Sequence, residues 1–202
     1  MMKPIDGFKT EPRAAAYPML PKGLYIAKIQ GAQVEGSEPD QRLVIRLDIC
    51  EGEYTGYYTK RYHNDRDAGG RFEVRYKGDY KIQIPDARNT KRQHPEWDEK
   101  RLRGDIWAIE QSNDGYHWDW NEAGLKGKFV GINVRQGSFN GSPYTTIGRL
   151  ESVPEIRAGK VKLMPDMAPR NSDSSGSGTS QAAMSTSEEM PGFTIVDEEI
   201  PF

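Results

Sequence analysis

The chain of 202 residues contains one cysteine, Cys50, and three histidines, His63, His94 and His117. A single cysteine excludes an intrachain disulfide and a Cys-rich zinc site. The apolar alternation around Cys50 predicts a small core residue there. No apolar run approaches the 18 residues needed to cross a bilayer, and the N-terminus lacks a charged-then-apolar leader pattern. These absences predict a soluble protein of the (bacterial) cytoplasm with no membrane partner. Gly69-Gly70 is not followed by Lys-Ser/Thr, so no phosphate-cradling loop is expected. His63-Asn64-Asp65 has no second ligand cluster at metal spacing and reads as the end of a surface strand. No catalytic residue, metal or cofactor is expected.

The last absence is of one charge sign. Residues 171–202 hold six acids (Asp173, Glu188, Glu189, Asp197, Glu198, Glu199) and no Lys or Arg, whereas the rest holds 24 acids against 28 basic residues. The net charge of -2 therefore conceals a mildly basic body and an acidic arm. That split suggests a polyanion-binding domain carrying a separate interaction segment.

Residues 1–21, with Pro4, Pro12, Pro18 and Pro21, read as an extended arm. Leu24–Val34 is β-prone, and Leu43, Ile45, Leu47 and Ile49 alternate with Val44, Arg46, Asp48 and Cys50 as a half-buried strand requires. The aromatic-rich stretch Thr55–His63 reads as a third strand. Over 97–112 the period changes. Leu102, Ile106 and Ile109 predict a helix with Asp98 as N-cap and Asp114-Gly115 as its stop. Val130, Ile132 and Val134 then alternate, and Asn140-Gly141 signals a hairpin into Pro143–Val153. Three strands, one helix and a hairpin give an all-β fold with one helix, in the element order of an OB-fold-like five-stranded barrel. The barrel domain is expected over 22–157. The stretch 64–96 reads as an insertion, either a binding loop or an extra hairpin. A flexible linker over 158–196 follows, Ser/Gly/Thr/Ala-rich from Asp173 to Ser187, leading to an acidic tip at 197–202.

Between Tyr57 and Arg92 ten basic residues meet five acids, interleaved with six rings. Cations that neutralise phosphates and rings that accept any base are what a single strand requires. The DNA-binding candidates are Tyr57, Tyr58, Lys60, Arg61, Tyr62, Arg71, Phe72, Arg75, Tyr76, Lys77, Tyr80 and Lys81. About half of the six rings are expected to serve as core or cross-strand packing instead. Trp107, Trp118 and Trp120 read as core or its rim, and Trp97 as a weaker base stacker.

The chain closes on Asp197-Glu198-Glu199-Ile200-Pro201-Phe202: three carboxylates, a stiffening proline and a terminal ring whose own carboxylate suits an arginine pocket. This end resembles the C-terminal tip of bacterial single-stranded DNA-binding proteins, the SSB family. The stretches Leu24–Ile29 and Asp48–Tyr58 resemble single-stranded DNA-binding proteins of phages or mobile elements of Gram-positive bacteria. The resemblance implies a non-enzymatic protein that coats single-stranded DNA during replication and recombination. It also implies that the tip, residues 197–202, recruits replication, recombination and repair enzymes. Two alternatives stay open: a metal-dependent DNA-processing enzyme with the same tail, and an RNA- or protein-binding adaptor. The sequence also leaves open whether the protein forms a homo-oligomer.

Overall fold

The computed structural model describes Lys3, Asp6 and residues 16–68, 74–92 and 94–171. The chain divides into one unit over Met1–Asn171 and a second over Ser172–Phe202. The second lies outside the described residues, so the tip and most of the linker are not placed. Arg71 and Phe72 are likewise outside.

Five antiparallel strands form one sheet: β1 (Gly23–Glu35), β2 (Arg42–Ile49), β3 (Asp79–Gln83), β4 (Phe129–Phe139) and β5 (Ser142–Glu151), in the order β3-β2-β1-β4-β5. β1 is the shared strand. Its first half pairs with β4, from Gly23↔Val134 to Lys28↔Phe129, and its second half with β2, ending at Glu35↔Arg42. A register shift between Ile29 and Gly31 falls near the handover, where a bulge bends the strand between its two partners. Asn140 and Gly141, both at positive φ (49° and 78°), form the tight turn between β4 and β5 that the sequence signals.

The sheet is open, since no pairing joins β3 to β5 among the described residues. Helix α2 (Pro95–Gln111) packs against both of these edge strands. Its Asp105 carboxylate accepts the Tyr80 hydroxyl of β3 at 2.9 Å and the Leu150 amide of β5 at 3.4 Å. Arg101, one turn earlier, donates to the Tyr80 oxygen at 3.1 Å and sits 3.8 Å from Asp105. Burial raises the Asp105 carboxyl from 3.8 to about 6. Leu102, Ile106 and Ile109, the residues that predict this helix, are buried, and the core also takes Ile29, Ile45, Leu47, Ile82, Val130 and Ile132. Asp98 is not the N-cap; His94 holds that position. Asp98 is buried in the first turn and paired with Arg92.

The expected third strand is a helix. Thr55–His63 contributes α1 (Tyr57–Asp67), and the third strand falls instead within the supposed insertion, at Asp79–Gln83. Within 64–96 the described residues include the end of α1, β3 and the start of α2. The helix content accordingly exceeds the single helix expected: α1, α2, a short α3 (Val153–Arg157) and a 3-10 turn at Glu122–Leu125 are present.

α1 has no cap of its own, since Gly56 precedes it in left-handed conformation. Asp48, at the end of β2, supplies one from across the fold. Its buried carboxylate accepts the amides of Ile49 (2.9 Å), Tyr58 (3.0 Å) and Thr59 (3.3 Å) and the Thr59 hydroxyl at 2.5 Å. An anion at a helix N-terminus satisfies orphan amides and opposes the helix dipole. Cys50, just beyond β2, is half-buried instead of lying in the core. After α3 the chain runs alongside the far half of β4, with Met167 and Arg170 donating to the carbonyls of Gln136 and Ser138.

Candidate nucleic-acid interface

Strand alternation divides β1, β2 and β3 into two faces. One is the core: Ile45 faces Tyr80, and Leu43 faces Ile82. On the other, cross-strand rows run Gly31–Arg46–Asp79, Gln33–Val44–Lys81 and Glu35–Arg42–Gln83, with Lys28 beside Phe129 at one end.

Arg46 anchors this face. Its guanidinium donates to both carboxylate oxygens of Asp79, at 2.9 and 3.2 Å, and lies 5.0 Å from the ring centre of Tyr76. The hydrogen bonds to Asp79 raise its pKa further. Tyr76 in turn meets Tyr62 of α1 at 5.9 Å, giving a cation and two rings side by side. The Tyr76 hydroxyl donates to the Leu47 carbonyl at 3.1 Å, and burial pushes its pKa up to about 12, so it stays a donor at neutral pH. The turn that carries Tyr76 approaches β2 very closely at Gly78. A Cβ there would meet the Leu47 carbonyl oxygen at 2.3 Å and the Tyr58 ring at 2.8 Å. Across the row, Gly31 leaves open space beside Arg46, since a Cβ at this position would touch nothing within 4 Å.

Two further cation–ring contacts occur elsewhere in the domain. The Lys28 ammonium lies 5.7 Å from the Phe129 ring, which is exposed, and Lys128 lies 4.4 Å from Tyr116. Lys81 is held by Glu35 at 3.2 Å. An exposed single-contact ion pair of this kind is worth at most about 1 kcal/mol, so a phosphate can take over Lys81 at little cost. Lys28, Lys60, Arg75 and Lys77 are exposed and pair with no carboxylate among the described residues.

The sequence-derived candidates divide clearly. Tyr62, Tyr76 and Lys81 gather around the sheet face, and Arg75 and Lys77 line the turn beside Tyr76. Lys60 lies on α1, its ammonium on the Thr55 carbonyl at 2.7 Å. Tyr57, Tyr58 and Tyr80 are core residues, 3%, 5% and 3% exposed, and present no ring to solvent. The Tyr57 hydroxyl donates to Pro18 and accepts the Leu20 amide, while Tyr80 serves the α2 network. Arg61 is turned inward to Tyr57 and Asp65. Trp97 is exposed and stacks on His94 at 3.9 Å. Arg46, Lys28 and Phe129 are the residues that the motif reading misses. Their signal was present, since Arg46 occupies the polar phase of the β2 alternation.

His63 is exposed on α1, not at a strand end. Among the described residues no three His, Cys, Asp or Glu side chains cluster to hold a metal ion, and no helix is long and apolar enough to cross a membrane. Compared with models of known protein families and with characterised proteins, the chain matches none.

Proposed function

We propose that the protein is an OB-fold single-stranded DNA-binding protein. It coats the strand without strong sequence preference and recruits replication, recombination and repair enzymes through Asp197–Phe202. The observation that carries this reading is the side-by-side group Arg46–Tyr76–Tyr62 on an otherwise polar sheet face. A stacked base is worth about 1–3 kcal/mol and is accepted whatever its identity. The exposed Lys28, Lys60 and Lys77, which pair with no carboxylate among the described residues, supply phosphate contacts whose strength falls as salt rises.

The strand order supports the fold assignment. Cutting a five-stranded Greek-key barrel between its third and fifth strands gives β3-β2-β1-β4-β5, with the helix between β3 and β4 plugging the seam. Fold alone does not assign function, so the reading rests on the surface. The acidic tip supports the recruiting role by its sequence.

The test is fluorescence anisotropy with labelled dT oligonucleotide at two salt concentrations, for the full chain and for a truncation ending at Arg170. Binding by both, falling steeply with salt and weaker for duplex, is the expected result. Failure of both to bind any single strand overturns the reading. Magnesium-dependent loss of the oligonucleotide would favour a nuclease instead.

A further inference from the structure

A second aromatic surface lies along α2, at the edge of the core. A cleft of about 780 Å³ opens between α2, the loop after β3 at Pro85–Ala87 and the loop at Trp118–Trp120. Leu102 and Ile106 contribute apolar surface, and Trp107, Trp118 and Trp120 supply three indoles. Two of these are open to solvent, Trp107 at 47% and Trp120 at 78%. Large rings left this exposed in one place mark a contact surface more often than a solvated one.

The backbone holds Trp120 there at a cost. Its φ is 66°, a strained left-handed conformation that bulky residues seldom adopt. The loop is pinned to α2, because the Trp118 amide donates to Glu110 at 2.8 Å. Trp120 is therefore displayed by a fixed loop, 6.4 Å from Trp118.

Charge selects the occupant. The lining carries four carboxylates, Asp86, Glu96, Glu99 and Glu110, against one guanidinium, Arg103. Asp86 is held by Arg88 and Glu99 by Arg103, at 2.6 Å each. Glu96 meets His94 and its own backbone amide, and Glu110 the Trp118 amide, so neither carboxylate has a Lys or Arg partner among the described residues. Single-stranded DNA and the chain's own acidic tip would both be repelled by such a rim. A cationic chain with an apolar anchor is attracted twice, by the carboxylates and by the faces of the indoles.

The geometry points to a docking site in this cleft for a basic peptide segment of a partner protein, with Lys or Arg flanking an aliphatic or aromatic anchor. The site is independent of the DNA-binding reading and stands or falls separately.

The test selects binders from a display library of random dodecapeptides on the full chain, with parallel selections on two variants. Trp107→Ala/Trp120→Ala removes the exposed rings, and Glu96→Lys/Glu99→Lys keeps the rings and the Glu110 contact that holds their loop while reversing the charge. Peptides that separate wild type from the ring variant should carry net positive charge and an apolar anchor. They should bind both variants at least tenfold more weakly, while the ring variant retains wild-type affinity for dT. Should one variant fail to fold, the other decides. Net-negative peptides would overturn the proposal and make the chain's own tip the occupant. Weakened dT binding by the ring variant would overturn it in favour of nucleic acid. A wild-type dimer in sedimentation that the ring variant lacks would do so in favour of a second copy. It also fails if no peptide separates wild type from either variant.

Discussion

The outer sheet face and the α2 cleft are built from similar rings and opposite charges. On the sheet, Tyr62 and Tyr76 lie beside Arg46, with the exposed cations Lys28 on β1, Lys60 on α1, and Arg75 and Lys77 either side of Tyr76 in sequence. In the cleft, three indoles lie among four carboxylates. An aromatic surface by itself does not name a ligand, because a π-face accepts bases, cations and apolar side chains alike. The charges around the ring make the choice. A composition-level reading pools the two regions and sees only an aromatic, mildly basic domain.

Several measurements would break or sharpen that contrast. The largest effect is expected at Asp48, which caps α1 and so places Tyr62. Asp48→Ala removes four hydrogen bonds to one buried carboxylate and should cost about 3 kcal/mol of stability in urea unfolding. Its dT affinity should fall while the cleft keeps its peptide. Equal loss at both sites would show that the two surfaces are not separable. Next, Arg46→Ala/Tyr76→Ala should weaken dT binding by about 2–3 kcal/mol, roughly 30- to 150-fold, and reduce the salt slope by about one. An unchanged affinity would remove the sheet face from the interface.

Asp105 gives a smaller, pH-dependent effect at the helix separating the two regions. Its carboxyl is raised from 3.8 to about 6, so the folded state holds this proton more tightly than the unfolded chain does. The stability it contributes is complete below pH 3.8 and is lost as pH rises through 6, on the order of 2 kcal/mol. Asp105→Asn should flatten the difference between unfolding curves measured at pH 4 and pH 7. Identical pH dependence in wild type and variant would refute that assignment. The smallest expected effect is the control: Trp107→Ala/Trp120→Ala should change dT affinity less than about twofold, because exposed substitutions away from a contact cost little.

Much of the fold is legible in the sequence where one periodicity dominates. β1, β2, β4 and β5 follow apolar alternation, α2 follows the spacing of Leu102, Ile106 and Ile109, and Asn140-Gly141 turns where the pattern breaks. α1 is illegible for a specific reason. Tyr57-Tyr58-Thr59-Lys60-Arg61-Tyr62 is rich in strand-favouring residues, and its helix is capped by Asp48 from another element, a tertiary contact that no local window contains. β3 is only five residues long and was hidden in a stretch read as an insertion. The candidate site was legible as a composition of rings and cations. Its membership was not, because Tyr57, Tyr58 and Tyr80 differ from Tyr62 and Tyr76 only in which side of an element they occupy.

The bridge that Asp105 makes also bears on the order in which the chain emerges during synthesis. Tyr80 and Asp105 are available as soon as α2 has been made, but Leu150 follows Asp105 by 45 residues. Until that strand arrives, the helix can hold only one side of the seam, and a nascent chain halted before β5 has a carboxylate that lacks its Leu150 amide. The bridge across the seam can therefore be completed only once the last strand of the sheet has been made.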